Sequence, residues 1–156
     1  MCMKKIISYS LLVAIAIAVS CSSSIAQKKE KAVFNHLALY ILDLNKSTEF
    51  YKNVVQLEVI PEPFHDGKHT WFKVGKQGAL HIIQGAAEIT QHDRNTHICF
   101  SVPSVEKFIT RLNEWKIPYT NAQGVPQTVT VRVDGVKQIY FQDPDNFWIE
   151  VNDDKK

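Results

Sequence analysis

The 156-residue chain lacks three features: a disulfide framework, a charge of one dominant sign, and a hydrophobic run long enough for a comfortable membrane span. Two of its three cysteines lie in the first 21 residues, so Cys99 stands alone in the rest and no internal disulfide is expected there. Of the 18 basic residues, Lys4 and Lys5 belong to the first 26 positions, which leaves 16 basic and 16 acidic side chains beyond them. A neutral domain has no electrostatic reason to bind nucleic acid or an anionic membrane surface, so we expect a small-molecule substrate.

The N-terminal segment is typical of an export signal. Two lysines precede a mostly apolar run at residues 6–19, whose 14 residues suit the core of a signal peptide. Two processing positions are possible for this leader. One is cleavage after Ala26, and the other is lipoprotein processing before Cys21, where residues 18–21 resemble a lipobox. We therefore expect an exported protein, in the bacterial periplasm or lipid-anchored to the envelope. Only a lipid at Cys21 would then bring it to a membrane.

The remaining chain predicts a single domain of strands and helices. Residues 27–32 read as a short charged linker, and residues 33–152 as the domain. The order β-α-β-β-β occurs twice, in modules at about residues 33–86 and 94–152. The predicted fold class is therefore α+β.

The internal repeat pairs four residues of metal-binding type. A shift of 61 positions places His36 on His97, and near the end of each module a shift of 69 positions places His81 on Glu150. Taken singly, each residue is more typical of a structural role, but matched positions favour a shared site. Strand alternation sends apolar neighbours to one face and these side chains to the other, concave face. A carboxylate buried there has to be paired or bound to a metal, because an unpaired buried charge is costly.

Three segments of the chain resemble the vicinal oxygen chelate superfamily. This superfamily includes glyoxalase I, the fosfomycin- and bleomycin-resistance proteins, methylmalonyl-CoA epimerase and the extradiol dioxygenases. The segments are FNHLALYILDLNKSTEFYKNVVQLEVI at 34–60, THICFSV at 96–102 and IYFQDPDNFWIEV at 139–151, of which the last is the most specific. The resemblance implies two βαβββ modules forming curved mixed sheets around a metal-binding cleft.

The same resemblance implies a ligand set for one divalent metal ion. His36 and His97 match the first-strand ligands of the two modules, and Glu150 matches the C-terminal carboxylate ligand. His81 occupies the position where glyoxalase I and the epimerase carry Glu, so the site has either three histidines and one glutamate or, without His81, two histidines and one glutamate. Zn, Ni, Co, Mn and Fe(II) all suit such ligands. The modules pair within one chain or across a homodimer, and both arrangements remain open.

The function that the resemblance favours is that of a metal-dependent lyase or isomerase of the glyoxalase I-like type, acting on a small vicinally oxygenated metabolite. Such chemistry also needs a general base, for which Glu150 is the first candidate and His65 and His69 are weaker ones. Export and the absent second carboxylate ligand argue against a strict glyoxalase I. Two alternatives are an Fe(II) extradiol-type dioxygenase and a non-catalytic resistance protein that binds a drug or metabolite.

Further residues are predicted to line the cleft. His65 and His69 lie in a loop that could contact substrate, although a solvated hairpin is an alternative. Arg132, Lys137 and Tyr140 are candidates for holding a substrate carboxylate, since the forked donors of arginine suit that group, and a solvated strand edge is an equal alternative. Cys99, in an apolar strand, is predicted to be a small buried core residue.

Overall fold

The computed structural model describes residues 30–155. The predicted signal peptide and the processing site at Cys21 lie outside the described residues. Between residues 30 and 155, no helix is long and apolar enough to cross a membrane. The elements discussed below all belong to the compact unit that begins at Phe34.

The first module has the predicted order of one strand, one helix and three strands. Its helix begins after Asp43, whose side chain accepts a hydrogen bond from the backbone N–H of Lys46 at 3.0 Å, and continues directly into a π-helical segment. The elements are β1 (His36–Ile41), α1 (Leu44–Glu49), the π-helical segment (Phe50–Val55), β2 (Val59–Ile60), β3 (His69–Val74) and β4 (Gly78–Gln84). In the sheet, the order of the strands is β1-β4-β3-β2, with β1 and β4 parallel.

The second module repeats this arrangement. The elements are β5 (His97–Ser101), α2 (Val105–Glu114), β6 (Tyr119–Thr120), β7 (Thr130–Val131), β8 (Lys137–Gln142) and β9 (Trp148–Asn152). The sheet has the order β5-β9-β8-β6, with β5 and β9 parallel and the short strand β7 paired with β8. The predicted α+β fold of two βαβββ modules with curved mixed sheets is confirmed.

The strand register reproduces the internal repeat in three dimensions. In the first module, His81 lies opposite the residue two positions after His36. In the second module, Glu150 lies opposite the residue two positions after His97. Each sheet therefore presents one candidate ligand on its edge strand and one on the neighbouring parallel strand, in the same relative positions.

The two modules share one hydrophobic core. The helices and the apolar faces of both sheets build it, and Phe141 of the second module packs on Phe50 of the first, with ring centroids 6.3 Å apart. The opposite faces of the sheets carry the candidate ligands, because side chains alternate along each strand. The largest fully buried side chains are Tyr51, Phe72, Phe141, Ile41, Leu80, Ile82, Leu112, Ile139 and Ile149.

The Asp-Pro-Asp turn before β9 links the modules by buried hydrogen bonds. The hydroxyl of Tyr51 donates to Asp143 Oδ2 at 2.7 Å. Asp145 accepts from the backbone N–H of Leu42 at 2.7 Å and from the hydroxyl of Ser47 at 2.8 Å. The segment with the most specific family resemblance is therefore also a structural bridge from the second module to α1 and its π-helical continuation.

Candidate metal centre

Glu150 lies on β9 with only 7% of its surface exposed, between the core residues Ile149 and Val151. Its carboxylate accepts hydrogen bonds from the hydroxyl of Tyr140 at 2.5 Å and from the side-chain amide of Asn152 at 2.9 Å. Burial raises the pKa of Glu150, but these donors, the thiol of Cys99 and nearby His97 outweigh it, so that the pKa lies below its usual value. The carboxylate is therefore held ionised in a buried site.

His97 faces this carboxylate with a defined tautomer. Its Nδ1 lies 2.9 Å from the backbone carbonyl oxygen of Arg94. A carbonyl oxygen only accepts, so Nδ1 carries the proton and the Nε2 lone pair points elsewhere. Nε2 lies 3.2 Å from Glu150 Oε2.

A lone pair and a carboxylate at this distance require a cation between them, either a proton or a metal ion. Two ligand atoms that each lie about 2.0–2.2 Å from one divalent ion are separated by about 3 Å. Imidazole nitrogen and carboxylate oxygen also suit transition-metal ions. The pair of His97 and Glu150 therefore fits two ligands of one divalent metal.

The second pair of candidate ligands lies on the first module. His36 is exposed on β1, whereas His81 on β4 is only 5% exposed, and their ring centroids are 6.0 Å apart. Trp71 stacks on His81 at a centroid distance of 4.1 Å and also contacts His36 at 5.0 Å. The Nδ1 of His36 bonds to the side-chain oxygen of Asn35 at 2.6 Å, which leaves Nε2 of His36 as its lone-pair nitrogen.

Of His65 and His69, the structure brings only His69, the first residue of β3, to this pair. The Nε2 of His81 lies 3.0 Å from Nδ1 of His69, whose other nitrogen is 3.6 Å from Asp66. Burial, together with the neighbouring His69, lowers the pKa of His81. The His65 side chain is 82% exposed and lies 3.8 Å from Glu62.

The four predicted ligands fall into two pairs, one on each sheet. Across residues 30–155, no hydrogen bond, ion pair or ring contact joins His36 or His81 to His97 or Glu150. In the same part of the chain, no three His, Cys, Asp or Glu side chains are grouped so that they could hold a metal ion. One chain therefore presents the candidate ligands as two separate pairs, which we call the first half-site (His36 and His81) and the second half-site (His97 and Glu150).

The structure gives Arg132 and Tyr140 different surroundings. Arg132 lies in the turn after β7 and forms an ion pair with Asp134 at 2.5 Å. Tyr140 is buried on β8 and donates its hydroxyl hydrogen to Glu150. Tyr140 thus contacts a predicted ligand, whereas the nearest acidic partner of Arg132 belongs to its own turn.

The prediction that Cys99 is a buried core residue is wrong, because Cys99 is exposed. Alternation along β5 places it on the same face as His97, and its thiol contacts Glu150 at 3.5 Å and the amide of Asn152 at 3.1 Å. An apolar sequence neighbourhood on both sides of a strand residue says little about the face on which that residue lies.

Sequence reasoning also missed three residues that support the second half-site. Asn152 and Gln138 lie two positions from Glu150 and Tyr140, on the same face of their strands; parity placed Asn152 there, but the contacts of both residues were not predicted. Gln138 donates to the Tyr140 hydroxyl at 3.1 Å and extends the hydrogen-bonded chain. Arg94 precedes β5 in a loop, where no periodicity could have indicated it.

Two repeated βαβββ modules define the vicinal oxygen chelate class of fold. In this chain, the sheet faces opposite the shared core carry imidazole and carboxylate side chains. A family model described as a glyoxalase-like domain matches residues 34–155. The chain therefore belongs to the glyoxalase-like domain family, whose superfamily members typically use a divalent metal.

Individual relatives have different activities. A lactoylglutathione lyase of Pseudomonas putida is 25% identical over 154 residues, covering 76% of this chain and 83% of that protein. The fosfomycin resistance protein FosX from Listeria monocytogenes is 25% identical with a TM-score of 0.65, covering 81% of this chain and 94% of that one. The oxidase ChaP-H2 has a TM-score of 0.67 at 21% identity, covering 81% and 96% of the two chains, and supports the fold alone.

Proposed function

We propose that this protein is a metal-dependent lyase or isomerase of the glyoxalase I-like type, acting on a small metabolite with two adjacent oxygen atoms. The observation that carries the proposal is the pairing of His97 Nε2 with the ionised carboxylate of Glu150 at 3.2 Å. This pair lies on a sheet face of a glyoxalase-like domain, and the His97 side chain is 27% exposed, so a small substrate can reach it. His36 and His81 would supply the remaining ligands.

Several side chains prepare this site for proton transfer. When bound, a divalent metal acts as a Lewis acid that stabilises negative charge developing on a substrate oxygen. Tyr140 and Asn152 hold the Glu150 carboxylate in place and keep it ionised. Glu150 is the general-base candidate because it is ionised and fixed in position, and the same donors, by lowering its pKa, also weaken it as a base.

We further propose that a second copy of the chain completes the site. The half-sites are separate within one chain, and both β1 and β5 are edge strands whose ligand faces are open to solvent. A twofold dimer would bring the His36–His81 pair of one subunit to the His97–Glu150 pair of the other. Two equivalent sites would result.

Metal analysis of the purified protein tests the function. We expect about one divalent ion per chain, lost in His97→Ala and in Glu150→Ala, and turnover by the loaded wild type of a vicinally oxygenated substrate other than the methylglyoxal–glutathione hemithioacetal. Loss of metal in these variants with folded structure intact would support the proposal. A wild type without stoichiometric metal, whose metal content does not respond to His97→Ala, would overturn it in favour of a binding protein.

One observation favours a second candidate function, an Fe(II) dioxygenase. Nε2 of His81 is already engaged by His69, which leaves His36, His97 and Glu150 as a set of two histidines and one carboxylate. Oxygen uptake with catechols after anaerobic loading with Fe(II) distinguishes this activity from a lyase, which consumes no oxygen.

We also infer from the N-terminal sequence that the chain is exported. Mass spectrometry of the mature protein tests this inference, because cleavage after Ala26 leaves Gln27 as the first residue, whereas lipoprotein processing leaves a lipidated Cys21. A full-length, unprocessed chain recovered from the cytoplasm would contradict it.

A further inference from the structure

Arg94 carries a cation next to the second half-site. It lies three residues before His97, and its backbone carbonyl accepts the hydrogen bond that fixes the tautomer of that histidine. Its guanidinium carbon is 5.7 Å from the ring centroid of Tyr140 and 5.9 Å from that of Trp148. The Tyr140 hydroxyl in turn bonds to Glu150. The Tyr140 side chain thus lies between the guanidinium of Arg94 and the carboxylate of Glu150, and the Arg94 backbone is bonded to the ring of His97.

This guanidinium has few partners of its own. Nη1 donates one long hydrogen bond of 3.5 Å to the backbone carbonyl of Asn121, and within residues 30–155 Arg94 forms no ion pair with a carboxylate. An arginine has five N–H donors, so most of those on this half-buried side chain remain available. The rings of Tyr140 and Trp148 interact with the charge of the guanidinium but accept none of its in-plane hydrogen bonds.

Three other cations of the second module have their own partners. Arg132 is paired with Asp134, and Lys137 is paired with Glu106 on α2. Arg111 donates to the carbonyl of Val54, a contact between the modules. Arg94 therefore combines proximity to the candidate ligands with unused, forked donors, which is the arrangement that binds a planar or tetrahedral oxyanion with two hydrogen bonds.

We propose that Arg94 binds an anionic group of the substrate, a carboxylate or a phosphoryl or phosphonyl group, and so restricts the enzyme to acidic metabolites. The inference rests on the proposed function, because it assigns the substrate class of the same site. Glu150 would repel an approaching anion, and the guanidinium beside it offsets this repulsion. The two donors of Arg94 fix the distance between the anionic group and His97, so the reacting oxygens are placed as well as attracted.

The test measures binding of two small probes, acetate and methylphosphonate, by calorimetry to the wild type and to Arg94→Gln, Arg94→Lys and Lys107→Gln. Lys107→Gln removes the same charge from the exposed surface of α2 and is the matched control. Each protein is titrated with and without zinc, because an anion can also bind to the metal directly. The Nε–H resonance of Arg94 reports direct contact with the probe.

We expect Arg94→Gln to weaken binding of the preferred probe by roughly 10- to 100-fold, with and without zinc, and Lys107→Gln to leave it unchanged. Arg94→Lys keeps the charge but loses the fork, so it should retain more affinity for a phosphonate than for a carboxylate. The probe with the larger dependence on Arg94 identifies the anionic group. Equal affinity of wild type and Arg94→Gln for both probes would overturn the inference.

The outcomes separate this inference from the proposed function. Arg94-dependent binding in a protein without stoichiometric metal would support the inference and reject the metal-dependent enzyme. A metal-loaded, active enzyme whose anion affinity and KM do not respond to Arg94→Gln would keep the function and reject the inference. If Arg94→Gln does not fold, the Arg94→Lys comparison and the Arg94 resonance of the wild type decide the question.

Discussion

Asp143 is a buried carboxyl whose ionisation opposes folding. Burial raises its pKa to about 6, although Tyr51 and the backbone N–H groups of Phe147 and Asp145 donate hydrogen bonds to it. In the unfolded chain the same carboxyl has a pKa near 4. Its protonated form therefore favours the folded state fully below about pH 4, and this contribution is lost as the pH rises through 6, by roughly 3 kcal/mol in total.

We expect the difference in unfolding free energy between wild type and Asp143→Asn to change between pH 4.5 and pH 7.5, with the wild type losing stability as the pH rises. Asparagine cannot ionise but keeps an oxygen for the backbone donors and an amide that can donate to Tyr51. Urea unfolding at several pH values measures the difference. Glu88→Gln, at an exposed carboxyl, is the control and should follow the wild type. Parallel profiles for wild type and Asp143→Asn would reject the assignment.

Tyr140 is a positioning residue for Glu150, since its hydroxyl donates to the carboxylate at 2.5 Å. Tyr140→Phe removes this donor, so we expect the pKa of Glu150 to rise and zinc affinity to fall roughly 10- to 100-fold, as is usual when a partner of a metal ligand is lost. Chelator competition measures the affinity. Tyr119→Phe, in the same sheet and also buried, removes a hydroxyl that has no contact with Glu150 and should leave affinity unchanged. Equal affinities in the two variants would show that Tyr140 has no such role.

At the scale of the elements, the π-helical segment ends in a strained position. Gln56 closes it with a φ of +66°, in the left-handed region that favours glycine, and its side chain is exposed. We expect Gln56→Gly to stabilise the protein by up to about 1 kcal/mol, because glycine adopts this conformation without steric cost. Thermal and urea unfolding measure the effect.

A matched substitution in the same segment is expected to change the stability in the opposite direction. Lys52 is an exposed residue inside the same π-helical segment, so Lys52→Gly should destabilise by about 1 kcal/mol through backbone entropy. If glycine at position 56 destabilised as much as at position 52, the left-handed conformation would not be the origin of the strain.

The sequence allowed the order and type of the elements to be predicted because strand alternation and helical spacing are local properties. The same alternation placed Glu150 on the face opposite Ile149 and Val151. It also placed Cys99 on the face of His97, but the apolar neighbourhood of Cys99 was given more weight, and burial was predicted wrongly. The π-helical geometry of Phe50–Val55 has no local pattern that distinguishes it from an α-helix.

The side-chain contacts across the fold could not be predicted, because they depend on tertiary packing. No spacing in the sequence connects Tyr51 with Asp143, which are 92 residues apart, or indicates that His69 rather than His65 reaches His81. Arg94 was missed for the same reason, since its position in a loop says nothing about which rings its side chain contacts.

At the scale of the whole molecule, the separation of the half-sites leads to a mixing experiment. His36→Ala removes a candidate ligand from the first module, and Glu150→Ala removes one from the second. In a dimer with sites shared between subunits, a heterodimer of these two variants has one intact site and one with both changes. We expect an unfolded and refolded equimolar mixture to recover about a quarter of the wild-type metal content or activity, although each variant alone has none.

Two further measurements control this experiment. A mixture of His36→Ala with His97→Ala should behave in the same way, whereas a mixture of His36→Ala with His81→Ala affects the same module and should recover nothing. If no mixture recovers metal or activity, the proposal of a shared site is wrong.

The buried bridge at Asp143 and Asp145, together with the shared core, has a consequence for the connection between the modules. The exposed linker after Gly85 joins them covalently, but the hydrogen bonds to Tyr51 and Ser47 and the packing of Phe141 on Phe50 are what hold them to each other. A chain cut in that linker would therefore remain associated as two fragments. We therefore expect that the protein can be made and reassembled as a split pair, in which each half carries one half-site and is altered independently of the other.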